Sequence, residues 1–173
     1  MEGCIAGVSF AGLGLVSQGS ISGISVAGLG MVGKAGITGI SVSGLGMVAG
    51  EGSITGVNIV GLGLVSGNAI TGLSVTAGIA RARHSITGVT FAGYRLAAPE
   101  ITGVNLAIGW TEANVLSGVS CAVYHQTATI QQGLVIGVFN NAEDLNGIQI
   151  GVLNHVGSNP AWARWLPVIN ARF

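Results

Sequence analysis

Ten glycines recur along the chain at almost equal spacing, and this periodicity limits what the chain can fold into more than any other feature. Successive spacings run from 14 to 17 residues. The anchor glycines are Gly7, Gly23, Gly39, Gly56, Gly72, Gly88, Gly103, Gly118, Gly133 and Gly147. Ten units in register predict a repeat protein in which each unit packs on its neighbours.

The residues after each anchor alternate between apolar and small polar types, as in Ile24, Ser25 and Val26. A period of two predicts a β-strand through every anchor. A bulky residue, Leu29 in this unit, lies six positions after the anchor. An unbroken alternation would place it on the opposite face of the strand from Ile24 and Val26. We therefore expect a bulge, bend or tight turn at Ala27-Gly28 and at the equivalent positions of other units.

Charge is scarce and confined mainly to the junctions between units. Charged residues make up 7% of the chain, against about 25% in an average soluble domain. Between residues 3 and 80 only Lys34 and Glu51 are charged. Each strand is therefore expected to have protein, ligand or lipid on both sides, or to present small residues to water. The net charge of zero argues against nucleic-acid binding.

Such an apolar sheet needs a closed architecture, and two closures fit the repeat. The favoured fold is all-β, with ten tandem strand-and-turn repeats of about 16 residues closing into a shallow pseudo-symmetric β-barrel. The alternative is a β-solenoid with two strands per coil. We interpret residues 1–173 as one domain, with repeats over 3–159 and a C-terminal aromatic segment, 160–173. Its Trp162, Trp165 and Phe173 are expected to latch the ring.

The last two units carry a more specific motif, in Gly133–Asn140 and Gly147–Asn154. The second reads Gly, Ile, Gln, Ile, Gly, Val, Leu, Asn, and a Trp-Leu-Pro segment follows at 165–167. These residues resemble bacterial surface-repeat proteins built on such units, and the sequences described as having a β-flower fold. The resemblance implies a shallow symmetric barrel with an apolar interior and a non-enzymatic role at the cell envelope. It transfers no functional residues.

The candidate ligand-binding residues are Arg81, Arg83, His84 and Arg95, the basic cluster of the chain. They could bind a phosphate or lipid headgroup, or form a solvated turn. No catalytic residue, metal site or cofactor is predicted. The Gly-rich run at 28–33 lacks the helix that a dinucleotide site requires, and the histidines lie in separate units without ligand spacing.

The sequence favours a non-enzymatic structural or binding module of the bacterial envelope. Its expected partner is lipid, a membrane surface or another apolar ligand, and a protein partner stays open. The alternatives are a small outer-membrane-type transmembrane β-barrel and an ice-binding or scaffold solenoid. The ice-binding alternative rests on the Thr/Ser column that precedes the anchors (Ser22, Thr38, Thr55, Thr71, Thr87, Thr102, Ser117). Glu2 directly after Met1 predicts no signal peptide, which fits either a cytoplasmic or a trimmed mature chain.

Overall fold

The computed structural model describes residues 3–173, and Met1 and Glu2, which enter the signal-peptide prediction, lie outside them. Each of the first seven units forms one coil, in which a long strand through the anchor glycine turns a corner into a short strand. A polar turn then leads into the next coil. The long strands are β1 (Ile5–Ala11), β3 (Ser20–Ala27), β5 (Gly36–Ser43), β7 (Ile54–Val60), β9 (Ala69–Thr76), β11 (Ser85–Ala92) and β13 (Glu100–Ala107). The short strands are β2 (Gly14–Ser17), β4 (Gly30–Gly33), β6 (Gly46–Ala49), β8 (Gly63–Ser66), β10 (Ile79–Ala82) and β12 (Arg95–Ala97).

Two further strands complete the chain. Extended backbone continues through β14 (Trp110–Val156), which pairs with both β13 and β12. A single 3-10 turn (Ala161–Ala163) then leads into β15 (Trp165–Arg172), which runs antiparallel to β14. Within residues 3–173 the structure contains no helix long and apolar enough to cross a membrane.

Equivalent residues of successive coils stack directly on one another, which makes the fold a parallel β-solenoid of about seven turns. Along the long strands, for example, Ile21 pairs with Ile37 and Gly23 with Gly39. The order β1-β3-β5-β7-β9-β11-β13-β14 runs through the long strands, and the short strands follow a second parallel path. The predicted closed barrel is therefore wrong, and the two-strand-per-coil solenoid is confirmed. The predicted corner is also confirmed, because β3 ends at Ala27 and β4 begins at Gly30.

The anchor glycines have a specific structural role in this stacking. All ten have a backbone φ between +95° and +145°, a region that L side chains rarely adopt. From the second coil onwards, a Cβ on each anchor would also clash with the carbonyl oxygen of the preceding anchor. The clash recurs at Gly133 and Gly147, so β14 continues the same stacking beyond the strands that are separately delimited.

The core lies between the two sheets and is built from repeated columns. An isoleucine two residues before the anchor is fully buried in successive coils, as in Ile37 and Ile54, and it faces short-strand residues such as Met47 and Leu64. The isoleucine column repeats one residue type, whereas the short-strand column varies from Met47 to Leu64 to Ala80. Stability is spread along the solenoid as a sum of coil-to-coil interfaces.

A second inward column is polar. Its members are Ser25, Ser41, Asn58, Ser74, Thr90, Asn105 and Ser120, each at most 1% exposed. Their side-chain oxygen and nitrogen atoms have no hydrogen-bond partner within the described residues. The aliphatic residues on either side of this column, such as Ile40, face outward instead. Beyond the anchor glycine, each long strand thus places small polar groups inside and aliphatic side chains outside, the reverse of an ordinary soluble sheet.

Candidate functional site

Exposed apolar side chains cover the corners and outer faces of the solenoid, while most charged side chains lie in the turns between coils. The corners lie between the long and short strands and carry the most exposed of these side chains. We call the outward apolar side chains of the corners the apolar ridge: Leu13, Leu29, Leu45, Leu62, Tyr94, Ile108, Tyr124, Val138 and Val152. They are between 46% and 74% exposed, and Ala77 and Gly78 interrupt the ridge at the fifth coil. Extended exposed apolar surface marks an interaction site.

The polar turns between coils form what is here called the turn edge. It carries the exposed residues Lys34, Glu51, Arg83, Glu100, Glu143 and Asp144. Lys34 Nζ lies 3.6 Å from Glu51 Oε1. Each coil is therefore amphipathic, with apolar side chains at the corner and charged side chains at the turn.

Aromatic rings continue the ridge through the later coils. The rings of Tyr94 and Trp110 pack edge to face with centroids 5.0 Å apart, and those of Trp110 and Tyr124 with centroids 5.9 Å apart. Leucines occupy the ridge in the first four coils and valines its last part, so the aromatic side chains Tyr94 and Tyr124 lie in its middle. Tyrosine and tryptophan favour positions between an apolar medium and water.

Three of the four predicted ligand-binding residues share one groove. Arg81, Arg83 and Arg95 line a groove of about 830 Å³ on the outer face of the short strands, together with Glu112 and Pro99. We call this the arginine groove. Valine and alanine side chains form much of its remaining lining, including Val48, Val65, Ala82 and Ala97. His84 lies exposed in the adjacent turn and does not line the groove.

The charges in the groove are only partly paired. A guanidinium nitrogen of Arg95 donates to Glu112 Oε2 in an ion pair whose side chains are 43% and 49% exposed. Within residues 3–173, the guanidinium groups of Arg81 and Arg83 make neither an ion pair nor a hydrogen bond. Two cationic side chains therefore remain available in a groove whose lining mixes small apolar residues with polar ones such as Ser66 and Asn114. Sequence reasoning missed Glu112, although the repeat register, which stacks Ala97 on Glu112, was the signal that could have found it.

The residues predicted to latch a ring instead lie at the C-terminal end of the solenoid. Trp165 begins β15, and its ring packs against His155 and Phe139 with centroids 4.3 Å and 6.0 Å away. Trp162 and Phe173 are 82% and 92% exposed and plug nothing.

Two of the histidines lie close to polar side chains of neighbouring residues or coils. His125 Nε2 lies 2.7 Å from Thr127 Oγ1, and His155 Nδ1 lies 2.6 Å from Asn141 Oδ1. Within the described residues, no three His, Cys, Asp or Glu side chains are grouped so that they could hold a metal ion. Comparison with family models, with curated proteins and with solved structures finds no significant match to this chain.

Proposed function

We propose that this chain is a non-enzymatic binding module that contacts lipid, or another extended apolar surface, through the apolar ridge. The observation that carries the proposal is the segregation of exposed apolar side chains from the charged turn edge. A ridge entering an apolar medium removes hydrophobic surface from water while the charges stay hydrated. The resemblance of the last two units to bacterial surface repeats supports a location at the cell envelope.

The backbone of the ridge supports contact with lipid in particular. A polar backbone group placed in hydrocarbon without a partner costs several kcal/mol. Here three successive ridge leucines donate from their amides to the ridge carbonyl of the coil before: Leu29 N to Leu13 O at 2.7 Å, Leu45 N to Leu29 O at 2.7 Å, and Leu62 N to Leu45 O at 2.8 Å. The ridge can therefore lose its hydration without leaving these amides unpaired.

The shape of the ridge favours a fluid partner over a folded one. Its side chains stand at a convex corner, and their sizes change from Leu to Tyr to Val along the axis. Protein partners usually offer complementary shape and paired polar groups at the rim, whereas acyl chains adapt to an irregular apolar surface. A lipid surface therefore fits the ridge better than a rigid groove would.

Flotation of the purified protein with phosphatidylcholine vesicles tests the proposal. A triple variant, Leu29→Ser, Leu45→Ser and Leu62→Ser, removes three side chains that are 49–60% exposed. If each half-buried leucine contributes about 1 kcal/mol, the partition coefficient should fall about 100-fold.

The matched control replaces three outward aliphatic residues of the long strands, Ile24, Ile40 and Val57, by serine. These residues are 37–48% exposed and belong neither to the apolar ridge nor to the groove lined by Arg81 and Arg95. The control should bind vesicles almost as well as the wild type. Failure of the wild type to float would refute the proposal, and equal losses in both triple variants would refute the role of the ridge.

The threonine ladder favours a second candidate function, ice binding. Thr38, Thr55, Thr71, Thr87 and Thr102 stack in register on the outer face of the long strands. The next outward column is aliphatic, for example Val57 and Leu73, so this face carries one threonine row. Thermal hysteresis that disappears in Thr71→Leu would support ice binding, and its absence from the wild type would exclude it.

A further inference from the structure

We propose that the arginine groove binds a phosphate-type anion, with Arg81 and Arg83 as its principal ligands. The inference deepens the proposed function, since an anionic lipid headgroup is the source of such a group that would lie beside an apolar ridge. Guanidinium groups bind phosphate oxygens through paired, charge-assisted hydrogen bonds.

The two arginines line the same groove from neighbouring positions of one coil. Arg81 belongs to β10, which ends at Ala82, and Arg83 lies in the bend that follows. Both arginines are exposed, while Ala82 between them is buried. In the stack, Arg81 lies between Val65 and Ala97, neither of which offers it an acidic partner.

The charge of the groove points to an anion. Of its four charged side chains, Arg95 and Glu112 form an ion pair, which leaves two positive charges uncompensated. By contrast, Lys34 and Arg172 are paired with Glu51 and Asp144. The chain has no net charge, so this local excess is a property of the groove and attracts negatively charged groups to it.

The groove lies beside the apolar ridge, where lipid headgroups would be expected if the ridge contacts the acyl chains. Arg95 directly follows the ridge residue Tyr94 and stacks on Trp110, whereas Arg83 belongs to the turn edge. The groove therefore runs from the ridge towards the charged edge. When the ridge enters the acyl region, the arginines come to the level of the headgroups, where Arg and aromatic side chains are favoured.

The test compares two double variants of the full chain. Arg81→Val with Arg83→Ser empties the groove of its unpaired charge, and valine matches Val65 in the neighbouring coil. Lys34→Ser with Arg164→Ser removes the same net charge from exposed positions outside the groove. Circular dichroism checks that both variants keep the strand content of the wild type.

Flotation is measured with phosphatidylcholine vesicles and with vesicles in which part of the lipid is replaced by phosphatidylglycerol. The anionic lipid should raise the binding of the wild type and of the control variant. The partition coefficient of the groove variant on the anionic vesicles should be about 30-fold lower than that of the wild type. Binding to pure phosphatidylcholine, whose headgroup phosphate is balanced by choline, should differ much less between the three proteins, since the ridge supplies most of that binding. Equal losses in the two double variants would overturn the inference.

Inorganic phosphate provides a separate arm that needs no membrane. Its binding is followed by thermal shift or by amide chemical shifts near Arg81. Stabilisation of the wild type but not of the groove variant would show that the groove accepts free phosphate. An effect of phosphatidylglycerol without one of phosphate would identify the headgroup as the source. If neither anion distinguishes the groove variant from the control, the inference fails. A wild type that ignores phosphatidylcholine but responds to phosphate would refute the ridge proposal alone.

Discussion

The anchor glycines make the stacking of coils testable at a single residue. Gly72 has φ +109°, and a Cβ at this position would lie well under 3.0 Å from the carbonyl oxygen of Gly56. Holding alanine at such a φ costs about 1–3 kcal/mol. Shifting the neighbouring backbone to relieve the clash adds a similar amount, by analogy with overpacking. Gly72→Ala should therefore lower the free energy of unfolding by about 4 kcal/mol.

The assay is thermal denaturation followed by circular dichroism, with Gly63→Ala as the matched control. For a chain of this size, about 4 kcal/mol corresponds to a fall in Tm of about 10 °C. Gly63 has no left-handed φ, and a Cβ there meets nothing within 4 Å. Alanine at Gly63 should leave Tm unchanged or raise it slightly, because it restricts the unfolded chain. Equal effects of the two substitutions would refute the stacking argument.

Three further predictions concern the core, the end and the groove. Asn58→Leu should raise the free energy of unfolding by about 1–2 kcal/mol in chemical denaturation, because it removes buried polar atoms that have no protein partner; a loss of stability would contradict this. Deleting residues 160–173 exposes the strand edge that β15 covers, so light scattering should detect larger species than for the full chain. Glu112→Gln should change stability by less than about 1 kcal/mol, since its ion pair is half exposed, but should strengthen phosphate binding by freeing Arg95.

The repeat, the strands and the corner were predictable because each of them repeats in every unit. The closure was not, because the prediction relied on the chain ends, where an uncapped start and an aromatic tail were interpreted as a ring. A better signal lay in the columns. Ile21, Ile37 and Ile54 are identical across units, and identical residues become neighbours only when the strands are parallel and in register. An up-and-down barrel would instead pair each unit with its neighbour in the opposite direction.

Which side of each strand faces the core could not be predicted from alternation alone. The alternation of Ile40 with Ser41 is compatible with either face being buried, and soluble proteins usually bury the aliphatic one. Here Ser41 is 1% exposed and Ile40 is 48% exposed. Before the anchor glycine the same strand buries a large residue, Ile37, so the inward column changes from aliphatic to small polar across Gly39.

The candidate groove was partly predictable. Arg81 and Arg83 are two residues apart in sequence, so their proximity was expected from the sequence itself. Arg95 was included in the predicted site because it lies one repeat unit after the other two arginines. Glu112 was missed because its contact with Arg95 spans 17 residues and becomes apparent only when the coils are stacked in the correct register. His84 was included by sequence proximity, which takes no account of which side of the turn a residue occupies.

The solenoid resolves a conflict that an apolar exterior creates for most sheet proteins. A sheet with exposed aliphatic residues usually also has strand edges whose free amides recruit other chains. In this fold the amides along the sides bond to the preceding coil, and unpaired strand edges occur only at the ends, one of which β15 covers. The lateral surface can therefore be apolar without offering backbone pairing to another chain. A partner of this surface therefore binds by burying apolar area. A lipid acyl chain can do so without any specific hydrogen bond.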